Sequence, residues 1–371
     1  MDIKLLEALV EQIRAHASKS DQDDSFPELE FTLIKRVGLM QMPLRENPFR
    51  FETCQNKALL DILKLIGSAS LPVGRIYEGH VNALQLIGLY GTPAQKEKYF
   101  HEVFSGQQLF GVWNTQGNDG VKIVKTGAGK YVLEGSKTFC SGGSWVQRPL
   151  ITAEFVSESL KGWQMCIIPT EQAGKLVADR SFWKPLGMRA SASYKMDFSG
   201  VVIDESDLLG PLDAYYRQPY FSAGAARFAA VQMGGVHAVM EETHRFLREL
   251  KRTDDPFQKA RMAEMAYLVE TGDLWVNRAA FKCDHWESLG NNQEELVAYI
   301  NMARSVINEI CLRCLQLSER SVGARGLMRP YVLERLHRDL TMYLKQPAPD
   351  AVLTSIGDHV FRKEHVAKLW Q

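Results

Sequence analysis

Residues 185–210 read PLGMRASASYKMDFSGVVIDESDLLG. After a glycine and a small-residue run come two short apolar-polar alternations, YKMDF and VVID, divided by Ser199-Gly200. Period-two alternation rich in β-branched and aromatic residues, interrupted by a Ser-Gly pair, predicts strands joined by a turn. The same period reaches back to Gln107 through KYVLEGSKTFCSGG (130–143) and GWQMCIIPT (162–170), so 107–212 reads as one compact β domain. Within it, GAGK (127–130) superficially resembles a phosphate loop, but Val124 stands where the first glycine of that motif belongs. The surrounding strand-turn-strand pattern makes it a hairpin turn instead.

On both sides the period lengthens to that of helices. ALLDILKLIGSAS, GRIYEGHVNALQLIGLYG and TPAQKEKYFHEVFSG fill the chain up to about residue 106. In the last, Thr92 before Pro93 is an N-cap with proline in the first turn, and Ser105-Gly106 is a stop. Beyond Leu212, Phe228, Val231, Gly235, Val239, Phe246 and Leu250 mark one stripe of a helix over roughly 223–251. Three further amphipathic stretches begin at Gln258, Leu296 and Met328. Successive amphipathic helices of this kind predict an up-and-down bundle. The expected architecture is multidomain α+β: an N-terminal α-helical domain (1–106), a middle β barrel or sandwich (107–212) and a C-terminal four-helix bundle (213–371).

Composition removes several classes of function. Lysine plus arginine and aspartate plus glutamate both number 44, and 45% of the chain is hydrophobic. Such balance gives no electrostatic reason to expect nucleic acid or an anionic membrane as partner. The opening MDIKLLEALVEQIRAHASKS lacks the apolar core of a signal peptide, and no run approaches a membrane span. Six scattered cysteines point to a reducing compartment, and the expected location is cytoplasmic. Cys311 and Cys314 form a C-x-x-C within a helical stretch with no second Cys/His pair nearby, so they read as buried helix residues and no metal is expected.

Four strings resemble the acyl-CoA dehydrogenase family. GTPAQKEKYFHEVFSGQQLFGVWNTQ is similar to its G-x-x-x-Q-K-x-x-Y-L…G stretch, and LEGSKTFCSGGSW to G-x-K-x-W-I-T-N-G. The opening stretch is similar to L-G-x-R-x-S…F-x-x-V-x-V-P…L-L-G, and ERLHRD to E-R-x-x-R-D. The resemblance spans nearly the whole chain and implies FAD held between the β domain and the bundle. A flavin needs donors at N5 and at the pyrimidine oxygens, an apolar wall and donors for its pyrophosphate. By resemblance, Thr115 lies beside the pyrimidine edge and Trp113 lines the flavin or the substrate path. Phe139 and Ser141 replace the tryptophan and threonine of W-I-T, where the ring stacks and a hydroxyl reaches N5. Taken singly, each of these is an ordinary strand residue.

Other positions depart from the family pattern. TQGNDGVKI lacks the serine that approaches the pyrophosphate, and backbone amides around Gly117–Gly120 are the expected substitute, as a nest. Arg252 stands where an R-x-x-F-G segment reaches a neighbouring subunit's FAD. Arg320 replaces the glutamine of Q-x-x-G-G, with Gly323 and Gly326 retained. A guanidinium at that place can pair with phosphate. Arg227 matches a family arginine associated with the substrate.

The reaction implied by the resemblance removes a proton from Cα and a hydride from Cβ of an acyl thioester, so it needs a buried carboxylate base. The family places that glutamate at positions matching Pro347, eight residues beyond Asp339, or Ala226, just before Arg227; both carboxylates are absent. Asp350 is the candidate replacement, although PAPD also reads as a helix start with Asp350 as N-cap. Gln346, His337 and His359 are weaker claimants. The leading expectation is therefore an FAD-dependent, acyl-CoA dehydrogenase-like oxidoreductase acting on acyl-CoA or a related small molecule. The alternatives are a flavin-dependent monooxygenase on the same scaffold, and a non-catalytic binding or assembly protein. A homodimer or homotetramer, and an electron-accepting partner, are further implications of the resemblance.

Overall fold

The computed structural model describes residues 3–44, 55–156, 161–286, 288 and 293–369, apart from Gln172 and Lys175. Five helices come first: α1 (Ile3–Ala17), α2 (Glu28–Arg36), α3 (Asn56–Ala69), α4 (Leu71–Tyr90) and α5 (Pro93–Phe104). Along α3, Leu59, Leu63 and Ile66 recur at helical spacing and all are buried. The expected start of α5 is present as a full capping box between Thr92 and Gln95. Gln95 also donates Nε2 to the carbonyls of Ser206 and Leu208 at 2.9 and 2.8 Å, tying α5 to the β region.

The strands are β1 (Phe110–Trp113), β2 (Lys122–Gly127), β3 (Lys130–Glu134), β4 (Ser136–Cys140), β5 (Arg148–Val156), β6 (Lys161–Ile167), β7 (Val177–Asp179), β8 (Tyr194–Asp197), β9 (Val201–Asp204) and β10 (Leu208–Leu209). One sheet runs β10-β6-β5-β2-β3-β9, with β1 parallel to the first half of β5. The other runs β4-β8-β7. The GAGK hairpin joins β2 to β3, with Gly129 at φ +70°. YKMDF and VVID do form strands, but they do not pair with each other. β8 pairs with β4, and β9 pairs with β3. The Ser199-Gly200 turn, with Gly200 at φ +78°, carries the chain from one sheet to the other.

Six α-helices follow among the described residues: α6 (Tyr220–Ala223), α7 (Ala225–Glu249), α8 (Pro256–His285), α9 (Gln293–Gly326), α10 (Val332–Tyr343) and α11 (Pro349–Phe361). The central α7 packs on α8, α9 and α10, and most extensively on α3. A Cβ at Gly234 would lie 2.1 Å from the Lys64 carbonyl oxygen, so the α3 and α7 backbones touch there. One apolar cluster consequently runs from Leu63 and Ile66 through Val231 and Met233 to Ile310 and Leu336. Cys311 and Cys314 lie inside this packing as free, buried thiols. Among the described residues no helix is long and apolar enough to cross a membrane, and no cluster of potential metal ligands occurs.

Candidate functional site

Two loops of the β region meet against α10. The first follows β4, residues 141–146, and the second leads into β8, residues 186–193. Phe139, Met188 and Ala192 have φ of +55°, +61° and +44°. Each such conformation costs a non-glycine residue roughly 1–3 kcal/mol and persists only where its surroundings hold it. The holding contacts are visible. Gly142 N–H donates to the Ser191 carbonyl at 2.8 Å, locking the loops together. Met188 N–H donates to Asp339 Oδ1 at 2.6 Å. Beside it, a Cβ on Gly187 would sit 2.1 Å from the Arg338 carbonyl oxygen. Arg338 itself binds Asp21, Glu334 and the Leu186 carbonyl. The two strings LGMRAS and ERLHRD are therefore the two halves of one latch between β region and bundle.

Behind that latch lies a chain of hydroxyls. Ser141 Oγ is 2.9 Å from Ser193 Oγ, which is 2.8 Å from Ser191 Oγ, and all three residues are buried. Three hydroxyls own three protons and the two bridges use two, so one O–H remains to donate outward. Trp113 is 1% exposed and donates Nε1–H to the Ser141 carbonyl at 2.9 Å, so it positions Ser141 rather than offering a free ring face. Phe139 is the opposite case. It is 47% exposed on β4, with the rings of Phe182 and Trp183 edge-on to it at 5.1 and 6.1 Å. Thr115 is exposed nearby, its carbonyl accepting Thr138 N–H at 2.8 Å. Lys137 Nζ binds the Asn114 carbonyl, Gln116 Oε1 and Thr152 Oγ1, pinning the WNTQ segment to the strands. Burial pulls its ammonium down to about 8.

A second polar group is buried between α4, α7 and α10. Glu78 accepts from Arg75 Nη1 and from Asn82 Nδ2, and Asn82 Oδ1 accepts from Arg227 Nε. Burial lowers the Arg227 pKa, with Glu78 acting against that shift. Tyr343 lies within electrostatic range of Arg75 and Glu78. Burial, then Glu78, drives its pKa well up, and its hydroxyl is buried with no partner among the described residues. The sequence reading singled out Arg227 alone. Arg75, Glu78 and Asn82 carried a usable signal: polar residues at i, i+3 and i+7 on an otherwise apolar helix. Ser191 and Ser193 lay inside the quoted opening stretch, but only the fold shows that they reach Ser141.

The remaining candidates fall elsewhere. Residues 117–120 all have negative φ, so the alternation of right- and left-handed backbone that makes an anion nest is not formed there. Arg252 pairs with Asp255 at 3.6 Å in the α7–α8 turn. Gln258, beside that turn, donates its amide to Ser321 Oγ at 3.1 Å and accepts from Arg252 Nη2 at 3.0 Å, which brings Arg252 near the α9 segment carrying Arg320 and Gly323. Arg320 is exposed, and Gly323 breaks α9 with φ +62° and ψ −169°. No hydrogen bond or ion pair among the described residues joins this pair of arginines to Phe139 and Ser141. Asp350 is exposed in the first turn of α11, and Ala348, not Asp350, holds the cap position. Its carboxylate has no hydrogen bond among the described residues. Pro347 is exposed and its carbonyl accepts from Arg304 Nη2 at 3.0 Å. Ala226 is 5% exposed at the start of α7. Gln346 donates to the Tyr343 carbonyl at 2.8 Å. His337 is held by Ser318 and Glu319, and His359 is buried on α11.

The chain is similar to several known proteins. Residues 215–344 match the family model for the acyl-CoA dehydrogenase C-terminal domain. A 3-(aryl)acrylate reductase from Clostridium sporogenes is 27% identical over 351 residues, covering 89% of each chain. Dibenzothiophene monooxygenase from Paenibacillus sp. A11-2, also solved bound to FMN, superposes with a TM-score of 0.85 at 19% identity, with 99% of both chains covered. Butyryl-CoA dehydrogenase from Megasphaera elsdenii gives a TM-score of 0.83 at 18% identity over 97% of both chains.

Proposed function

We propose that the chain is a member of the acyl-CoA dehydrogenase family, whose C-terminal domain model it matches, and that it is a flavin-dependent oxidoreductase of the monooxygenase kind, acting on a small organic substrate. The observation that carries the reading is one pairing of features. Side chains suited to a flavin ring lie on neighbouring segments of the β region, while neither family position for the carboxylate base holds a carboxylate. Phe139 supplies an exposed aromatic wall, Thr115 an exposed hydroxyl, and the Ser141–Ser193–Ser191 chain one spare donor. These groups fit a planar ring with acceptors along one edge. A bound flavin, FAD or FMN, supplies electron transfer to substrate or oxygen.

This chain's own residues then have defined tasks. Trp113 and Lys137 fix the segments that carry Ser141 and Thr115. The serine chain holds one spare proton, at Ser141, Ser193 or Ser191 according to the direction in which its two bridges run. The Asp339–Met188 latch keeps the two loops closed against the bundle. Arg252, Arg320 and Gly323 are proposed to serve the cofactor at the other end of the bundle, through a neighbouring copy in a homodimer or homotetramer. The division at residues 106 and 212 is proposed as the domain boundaries.

A second reading, oxidation or reduction next to an acyl group with FAD, is favoured by the similarity to the arylacrylate reductase. It requires another proton carrier. Glu78 is buried but has both carboxylate oxygens occupied by Arg75 and Asn82, and Asp350 is exposed, so neither is ready for that role. Two assays on the flavin-loaded protein separate the readings. Oxygen consumption driven by externally reduced flavin, unchanged by acyl-CoA, supports the monooxygenase. Anaerobic bleaching of the flavin by an acyl-CoA panel supports the dehydrogenase instead. A protein that takes up neither FAD nor FMN sinks both.

A further inference from the structure

We propose that Arg227 is the centre of an organic-anion subsite that takes the carboxylate headgroup of a small substrate. This deepens the oxidoreductase reading and rests on it for the identity of the ligand as a substrate. The geometry begins with the side chain. Arg227 is 7% exposed, and its Nε is bound to Asn82 Oδ1. Among the described residues its two terminal nitrogens have no acceptor, and the residue forms no ion pair. A planar guanidinium offers those nitrogens as a fork matched to two carboxylate oxygens.

The fork lines a small cavity. About 120 Å³ is enclosed by Arg227 with Gln85 and Leu86 of α4, Tyr220 of α6, and Cys283 and Trp286 of α8. That volume holds a headgroup with a few carbons. The wall mixes two amides, Asn56 and Gln85, and the Tyr220 phenol with apolar side chains, which suits an anion that is hydrogen-bonded at one end and hydrocarbon behind.

Charge bookkeeping points the same way. Arg75 and Arg227 face one buried carboxylate, Glu78, which is committed to Arg75 and Asn82. Among the described residues one positive charge is therefore left without a counter-ion. Two neighbouring acids do not supply it. The Cys283 thiol is pushed up to about 12, chiefly by burial, and stays neutral. Asp284 is turned to α3, where its Oδ1 accepts from Asn56 N and Nδ2, both at 2.8 Å. An isolated buried cation is costly, and the ordinary remedy is an anion brought by the ligand.

The test uses the flavin-loaded full chain and two isosteric probes, 3-phenylacrylate and its neutral amide, titrated by calorimetry. Wild type is expected to bind the acid about tenfold or more tightly than the amide, a difference on the order of 1.4 kcal/mol. In Arg227→Gln that ratio falls to about one, and in Arg227→Lys, which keeps the charge but loses the fork, it falls at least about threefold. If Arg227→Gln does not fold, Arg227→Lys alone decides. A ratio near one in wild type, absence of binding by both probes, or an unchanged ratio in the variants overturns the subsite. The flavin spectrum of the same samples keeps the two claims apart. Flavin uptake without an Arg227-dependent preference removes the subsite and leaves the oxidoreductase reading. The preference without flavin uptake does the reverse.

Discussion

Met188 donates its backbone N–H to Asp339 Oδ1 at 2.6 Å, across the boundary between the β region and α10. Asp339 is 1% exposed, and Arg335 Nη1 lies 3.3 Å from its other oxygen. Removing the carboxylate leaves a buried arginine and a buried amide without their partner. Asp339→Ala is expected to cost about 3–5 kcal/mol, read from urea denaturation. Asp339→Asn keeps an acceptor for Met188 and is expected to cost clearly less. Equal losses in the two variants would mean that the amide contact does not matter and the charge alone does.

The flavin surface makes a second prediction. Ser141→Ala removes the end of the hydroxyl chain without touching the Trp113 contact, which is to the Ser141 carbonyl. Loss of one neutral hydrogen bond is worth about 0.5–1.5 kcal/mol, so flavin affinity is expected to fall roughly 2- to 12-fold. Phe139→Ala, which deletes the exposed ring, is expected to fall further. Both are measured by quenching of flavin fluorescence. Unaltered affinity in both variants would place the cofactor elsewhere.

These two sites show how far the sequence could be read. Strand and helix periods located the elements, because burial of one face imposes the period regardless of partner. The pairing of strands was not legible. Tyr194–Asp197 and Val201–Asp204 look like neighbours in the chain, yet long-range packing sends them to different sheets. Phe139, Ser141, Thr115 and Trp113 were singled out by motif, but their different surroundings needed coordinates. Burial alone distinguishes the positioning Trp113 from the open Phe139. The Glu78 network was written as a polar stripe on α4, but which helices close over it is a property of the tertiary fold. Asp350 looked like a cap because Pro-Asp opens helices, and the left-handed Ala348 moved the cap back by two residues.

A third prediction concerns acid. His80 is fully buried, with Nε2 2.9 Å from the Met40 carbonyl and Nδ1 accepting from Phe110 N–H at 3.2 Å. Those partners fix the neutral tautomer with its proton on Nε2, and burial lowers the pKa to about 4 from 6.5. Between those values the unfolded chain binds more protons than the native one. Stability therefore rises with pH across this window, is fully present above about 6.5 and is lost as pH falls through about 4. A shift of this size is worth about 3 kcal/mol. His80→Gln is expected to flatten that slope in denaturant melts run from acid to neutral pH, while costing about 1–3 kcal/mol at neutrality. A slope as steep as wild type would assign the acid sensitivity to other groups.

Tyr343 and Asp350 together decide where the reacting side of the site lies. Asp350 is exposed on α11, so Asp350→Asn is expected to leave both turnover and stability within error of wild type. A loss of turnover of tenfold or more would return Asp350 to the role of base. Tyr343 sits opposite Glu78 with its hydroxyl buried and unpartnered. An orphaned buried hydroxyl is a burden on the folded state, commonly about 1–3 kcal/mol, so Tyr343→Phe is expected to raise the unfolding midpoint. A fall in kcat/KM in the same variant would show that the hydroxyl finds its partner in the bound substrate. The two effects have opposite signs, and that is what makes the pair informative. A residue kept only for packing would gain stability at no cost in rate, whereas one that meets the ligand cannot be improved in both at once.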